Sequence, residues 1–176
     1  MKFRVVAIII CALCLSACAR PATKKNALHK AALLNVAMGQ KYLQQMQIDL
    51  SKQKLVHALE LAPKSPEAHT AMAYLYEVIG DLKEAELHHT KAIRYGAGNG
   101  SFYNNYGTFL CRQGRLQEAD RAYHAALRDK KYTRTSDVYE NAAVCALKQK
   151  DFVKAREYFK SAVKHNPKLK LKHYDE

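Results

Sequence analysis

Small and bulky residues alternate along this chain in a pattern that repeats about every 34 residues. In frames that begin at Ala32, Pro66, Gly100 and Ser136, positions 8, 20 and 27 are small and position 24 is bulky. Positions 8 and 24 of the successive frames are Gly39 and Leu55, Ala73 and His89, Gly107 and Tyr123, and Ala143 and Phe159. Small residues let two helices approach closely and bulky residues fill the gaps, so each frame predicts a pair of antiparallel helices.

The pattern resembles the tetratricopeptide repeat, and it predicts an all-α superhelix of about four helix-turn-helix repeats. The approximate repeats are 32–65, 66–99, 100–133 and 136–169. One repeat cannot bury its own apolar face, so neighbouring repeats must stack. The first frame is the weakest match because Ser51 places a polar group at position 20.

Composition supports a helical globular domain, with 48% hydrophobic residues, seven glycines and four prolines. The formal charge of +13 raises the question of a nucleic-acid partner. We predict none, because the basic residues are spread along the chain without a run of five. Residues 168–176 form either a basic tail or a partial capping helix.

The N-terminus has the features of an export signal. Lys2 and Arg4 precede an apolar run, residues 5–15, which is too short to span a bilayer as a helix. The sequence LSAC that follows, ending at Cys18, looks like the lipobox of bacterial lipoproteins. An alternative is a plain secretory peptide that is cut near Ala17 or Ala19.

The lipobox resemblance implies that residues 1–17 are a signal peptide, that Cys18 is lipidated, and that residues 18–31 are a tether. Several acyl chains give stable membrane anchoring. Ala19, rather than Asp, follows the cysteine, and this implies sorting to the periplasmic face of the outer membrane.

Two cysteines remain in the predicted repeats, Cys111 and Cys145. An even pair in an oxidising compartment is a disulfide candidate, and the first helices of adjacent repeats pack about 8–10 Å apart. The alternative is two buried free thiols.

No catalytic, metal or cofactor site is predicted. His88 and His89 are adjacent and point in different directions on a helix, and no metalloprotease-type histidine pair occurs. The glycine-rich stretch 96–100 lacks the lysine of a phosphate loop, so we interpret it as a linker between repeats.

Repeats of this kind bind peptides, and positions 2, 5, 9 and 12 of each first helix tend to line a concave groove. We therefore expect a partner-binding groove that is apolar at its N-terminal end and more polar or acidic further on. Its candidate residues are Leu33, Val36, Gln40, Leu43, Thr70, Tyr74, Asn104 and Thr108. The alternative for Leu33, Val36 and Leu43 is burial under the N-terminal segment.

Two stretches and the lipobox together resemble the type IV pilus biogenesis and stability lipoproteins, a pilotin-like family. The stretches are NNYGTFLCRQGR (104–115) and VYENAAVCALKQKDFVKAREYFKSAV (138–163). The resemblance implies an adaptor, not an enzyme, that binds secretin subunits and promotes their localisation and multimerisation. Members of this family commonly carry about six repeats, so a role of their C-terminal half is not carried over.

The sequence leaves a second hypothesis open, a periplasmic lipoprotein scaffold that regulates another envelope machine. A cell-wall synthase or the barrel-assembly machinery would then be the partner. The pattern does not predict an oligomeric state.

Overall fold

The computed structural model describes residues 20–169, with side chains from residue 24 onward. Within this range the chain forms eight α-helices and no strand, which confirms the all-α prediction. The helices are α1 (Arg20–Gln44), α2 (Ile48–Leu61), α3 (Pro66–Ile79), α4 (Leu82–Tyr95), α5 (Gly100–Arg112), α6 (Leu116–Leu127), α7 (Thr135–Lys148) and α8 (Phe152–His165). The predicted signal peptide, the lipidation candidate Cys18 and residues 170–176 lie outside the described residues.

The helices are arranged as four stacked hairpins. Each odd-numbered helix packs most extensively on the even-numbered helix that follows it, and successive hairpins contact each other through both sets of helices. The buried apolar residues form one cluster around Leu55 and Leu75 and a second around Phe109 and Tyr123. This stacking is the tetratricopeptide-repeat superhelix that the 34-residue pattern predicts.

Close approach within the hairpins depends on glycine at position 8 of two repeats. A Cβ atom added at Gly107 would lie 2.8 Å from the ring of Tyr123, and one added at Gly39 would lie 2.7 Å from the side chain of Leu55. Both distances are shorter than van der Waals contact. The small residue at position 8 and the bulky residue at position 24 are therefore direct packing partners.

The turn inside each hairpin has the same backbone geometry in all four repeats. Position 15 has a left-handed conformation every time, at Met46 (φ 57°), Gly80 (φ 88°), Gly114 (φ 74°) and Lys150 (φ 60°). In two repeats an aspartate then caps the second helix. Asp81 accepts a hydrogen bond from the backbone N–H of Glu84 (3.2 Å), and Asp151 accepts one from Lys154 (3.0 Å).

Helix α1 differs from the other helices in length, with 25 residues against 12 to 14. Residues 20–31, which the sequence pattern assigns to a tether, form its first half as regular helix. Every side chain from 24 to 30 is exposed. Across residues 20–169, none of the helices combines the length and the hydropathy that crossing a membrane requires.

Candidate peptide-binding groove

The inner face of the superhelix carries an open groove with a volume of about 610 Å³. Helices α1, α3, α5 and α7 provide most of its wall, with one side chain from α4 and part of the linker between α6 and α7. The first helices of the repeats face the groove because the second helices pack behind them.

Five of the eight candidate residues lie on this groove. They are Gln40, Thr70, Tyr74, Asn104 and Thr108. Tyr74 is the most prominent, because half of its surface (51%) is open to solvent although it is a large aromatic residue. It offers an apolar surface in a wall that is otherwise mainly polar.

The prediction that the N-terminal end of the groove is apolar is wrong for Val36 and Leu43. Both are buried, with 6% and 3% of their surface exposed, in the cluster that joins α1 to α2 and α3. Val36 and Leu43 stand at positions 5 and 12, and because both are apolar they pack into this cluster. The polar Thr70, Asn104 and Glu77 at the same positions of later repeats instead line the groove. Leu33 is exposed, but it lies outside the groove wall.

A polar bridge connects α3 to α4 and α5 across the middle of the groove. The Glu77 carboxylate accepts a hydrogen bond from His89 Nε2 (3.0 Å) and forms an ion pair with Arg112, whose Nε lies 3.1 Å from it. Burial alone would raise the pKa of Glu77, but the hydrogen bonds from His89 and Arg112 outweigh burial and lower it. The bridge therefore holds an ionised carboxylate at the groove wall.

An amide contact connects α5 to α7. Asn141 Nδ2 donates a hydrogen bond to Oδ1 of Asn104 (3.1 Å), and Asn104 is 7% exposed. Beside them, the Thr108 hydroxyl donates to the backbone carbonyl of Asn104 (2.9 Å). Amide groups of this type can donate to and accept from a peptide backbone.

The same two helices are joined by a disulfide between Cys111 and Cys145, whose Cα atoms are 5.8 Å apart. The two cysteines are 34 residues apart, which is one repeat length. Both are buried, at 5% and 3% exposure. The bond fixes the spacing of α5 and α7 about two helical turns along α5 from the amide contact.

The C-terminal end of the groove is acidic. Arg134 Nε donates to the Asp137 carboxylate (2.6 Å), whereas the carboxylate of Glu140 has no hydrogen bond or ion pair to any side chain in residues 24–169. Burial and the neighbouring charge of Asp137 raise the pKa of Glu140. Both effects disfavour the ionised form of Glu140, and a cation that binds beside it would favour that form.

Some contacts and residues of the groove have no local signal in the sequence. Glu77 and Arg112 are 35 residues apart, and only the stacking of repeats brings them together. Arg134 belongs to a two-residue insertion between the third and fourth frames, and this break in the period is the one sequence signal that could have indicated it. No group of three or more metal-binding side chains occurs among the described residues.

Comparisons with known proteins agree with this architecture. The tetratricopeptide-repeat family model matches residues 100–168. The type IV pilus assembly protein PilF of Pseudomonas aeruginosa is 34% identical over 131 residues, which are 74% of this chain and 52% of PilF. An uncharacterized protein of Haemophilus influenzae is 30% identical over 131 residues, covering 74% of this chain and 73% of that protein.

Solved structures give the same result. The structure of Pseudomonas aeruginosa PilF superposes with a TM-score of 0.74 at 32% identity, covering 80% of this chain and 64% of that one. The structure of PilW, described as a widely conserved type IV pilus biogenesis factor, superposes with a TM-score of 0.72 at 24% identity. The match covers 78% of this chain and 63% of PilW, and it shows that the two share the fold.

The fold and the groove define a tetratricopeptide-repeat protein. The chain belongs to this family, and within it the chain is homologous to the type IV pilus assembly protein PilF. It spans about half of the length of PilF.

Proposed function

We propose that this protein is a lipid-anchored adaptor on the periplasmic face of the outer membrane, where it binds secretin subunits and promotes their localisation and multimerisation in type IV pilus assembly. The observation that carries the proposal is an open groove on a scaffold homologous to PilF. Groove-lining side chains of three successive repeats offer recognition groups, and no metal cluster lies among the described residues.

The groove chemistry suits an extended peptide segment with an aromatic or apolar residue and a basic residue. Tyr74 offers a flat surface for the apolar residue, and the amides of Asn104 and Asn141 can bond the peptide backbone. Glu140 lacks a cation of its own and offers a carboxylate to a lysine or arginine. The bridge at Glu77 and the disulfide hold the walls in place before binding, which reduces the entropic cost of association.

The membrane part of the proposal depends on Cys18. Acylation at this residue would place the repeats next to the bilayer, with α1 beginning two residues later at Arg20. Labelling with a radioactive fatty acid tests this step, because the label should be lost in a Cys18→Ser variant.

Genetic complementation tests the binding step. Deleting the gene should reduce heat-resistant secretin multimers and surface pili, and the wild-type gene should restore both. A groove variant that combines Tyr74→Ala with Glu140→Lys should fail to restore them. The matched control combines Phe152→Ala with Glu157→Lys, since both residues are exposed and lie outside the groove.

A photo-crosslinking amino acid at position 74 identifies the partner directly. Capture of the secretin from position 74, and not from position 152, supports the proposal. Capture of a cell-wall synthase or a barrel-assembly protein, with normal secretin multimers in the deletion strain, would overturn it in favour of the scaffold hypothesis.

A further inference from the structure

Helix α1 has two separate apolar stripes, and only one of them is used by the core. Ala32, Val36, Gly39 and Leu43 face α2 and α3 and are all buried. A second stripe repeats the same 4-3-4 spacing five residues earlier, at Ala27, Ala31, Leu34 and Met38. Five residues rotate a helix by about 140°, so the second stripe lies on the side of α1 that faces away from the hairpin stack.

In this second stripe, which we call the outer stripe, three of the four residues are exposed and Ala31 is half-buried. Leu34 is 60% exposed and Met38 is 43% exposed, although both are large apolar residues. The ordinary reason for an apolar stripe on a helix is burial against a neighbour. Within the described residues no neighbour covers the outer stripe.

The charge around the outer stripe is of one sign. Lys24 lies on one side of it, Lys30 and Lys41 lie on the other, and all three are exposed. The whole of α1, from Arg20 to Gln44, contains no aspartate or glutamate. An apolar stripe flanked by lysines is the pattern of a helix that lies in a membrane interface, with its apolar side chains between the acyl chains and its lysines at the phosphates.

We infer that the outer stripe of α1 lies on the surface of a bilayer that contains anionic phospholipids. The inference rests on the lipid anchor of the proposed function, because Cys18 stands two residues before the start of α1. An acyl anchor at that place would hold α1 within reach of the phospholipid headgroups. The contact would fix the orientation of the repeat array, which a flexible tether would leave free.

Tryptophan fluorescence can test this contact because the chain contains no tryptophan. The protein is the mature chain, residues 18–176, made without acyl groups and with Cys18→Ser. Leu34→Trp places a single reporter on the outer stripe, and Val153→Trp places one on an apolar residue of α8 that is 73% exposed. Vesicles of phosphatidylethanolamine and phosphatidylglycerol should shift the emission of the first reporter to shorter wavelength and leave the second unchanged.

The contribution of charge is tested by vesicle flotation. Replacing Lys24, Lys30 and Lys41 by Gln should weaken the association with anionic vesicles by on the order of a hundredfold, since each lysine near such a surface contributes about 1 kcal/mol. The matched control replaces the exposed Lys83, Lys130 and Lys160 by Gln, which removes the same net charge elsewhere. Phosphatidylcholine vesicles should bind neither form.

Three results would overturn the inference. They are equal emission shifts at positions 34 and 153, equal loss of binding in the two lysine variants, and capture of a protein from position 34 in cells without any shift on vesicles. None of these assays contains a secretin, so the inference can fail while the proposed adaptor function stands. Equally, normal secretin multimers in the deletion strain would leave the vesicle results unaffected.

Discussion

At the scale of single residues, the turn inside each hairpin contains one residue with a left-handed backbone conformation in all four repeats. Glycine occupies that position in only two of them. Gly80 and Gly114 adopt the left-handed conformation freely, whereas Met46 and Lys150 adopt it with a Cβ atom. A left-handed conformation costs a residue with a side chain roughly 1 kcal/mol. The first and fourth repeats therefore carry a small local strain.

We predict that Met46→Gly stabilises the protein by up to about 1 kcal/mol, because Met46 is 69% exposed and has little packing to lose. Gly80→Ala should destabilise it by a similar amount. A Cβ atom at Gly80 would meet nothing within 4 Å, so its cost is conformational. Urea denaturation measures both. Gln45→Gly is the control, since Gln45 has no left-handed backbone, and a gain there equal to that at Met46 would contradict the explanation.

A sequence pattern can indicate the structural role of a residue when packing restricts the size of its side chain. Gly39 and Gly107 stand out because the side chains of Leu55 and Tyr123 leave no room for a Cβ atom. Met46 and Lys150 give no such signal, because their exposed side chains tolerate many residue types. The position rule assigns Val36 and Leu43 to the groove, and nothing in the sequence indicates that they pack against α3.

At the scale of helices, two neighbouring pairs of repeats are joined by similar contacts of an acid at the same repeat position, although its partners come from different positions. Glu86 accepts hydrogen bonds from Tyr106 (2.7 Å) and Arg115 (2.7 Å) of the next repeat. Asp120, one repeat later, accepts them from Lys154 (2.8 Å) and Tyr158 (2.8 Å). An acid at position 21 thus binds a base and a tyrosine of its neighbour twice, and the disulfide adds a covalent contact at the second interface.

We predict that replacing Cys111 and Cys145 together by Ser lowers the free energy of unfolding by about 3 kcal/mol. Closing a loop of 34 residues removes chain entropy from the unfolded state, and two buried hydroxyl groups add a further cost. Urea denaturation with and without reductant measures the change. Reductant should destabilise the wild-type protein and leave the double variant unaffected, and two alkylatable thiols in the unreduced wild type would contradict the bond.

The positions of the helices can be predicted from the repeat, because the period of small and bulky residues is visible within each frame. The side-chain contacts between repeats cannot be predicted in this way. The bridge between Glu77 and Arg112 depends on how far α5 is rotated against α3, and no pattern within one repeat determines that rotation. The position rule holds for Gln40, Thr70 and Tyr74, because polar or exposed residues occupy those positions.

At the scale of the whole molecule, most of the shifted histidine and carboxyl pKa values make acidification destabilising, and only the raised pKa of Glu140 acts in the opposite direction. His69 and His88 are buried with their Nδ1 atoms 3.0 Å apart. The Pro63 carbonyl can only accept, so His69 Nε2 donates to it (3.1 Å). When His69 is neutral its Nδ1 accepts from His88 Nδ1, and a proton on both Nδ1 atoms would break this contact. Burial, with the positive charge of Lys91 nearby, lowers the pKa of both, that of His88 to about 4.

A lowered histidine pKa means that the unfolded chain binds the proton more tightly than the folded one. Stability is therefore complete above pH 6.5 and falls as the pH drops from 6.5 toward about 4. The carboxyl groups of Glu77, Glu86 and Asp120 also have lowered pKa values, so their contribution is lost at still lower pH. We expect a loss on the order of 2 kcal/mol between pH 7 and pH 4.5.

Urea denaturation across this pH range tests the assignment. His88→Gln should be less stable than the wild type at pH 7, because a close-packed ring is lost, yet its stability should change less between pH 7 and pH 4.5. His57→Gln is the control, since the side chain of His57 is 54% exposed, and it should keep the slope of the wild type. An unchanged slope in His88→Gln would show that the buried pair does not govern the acid response of the array.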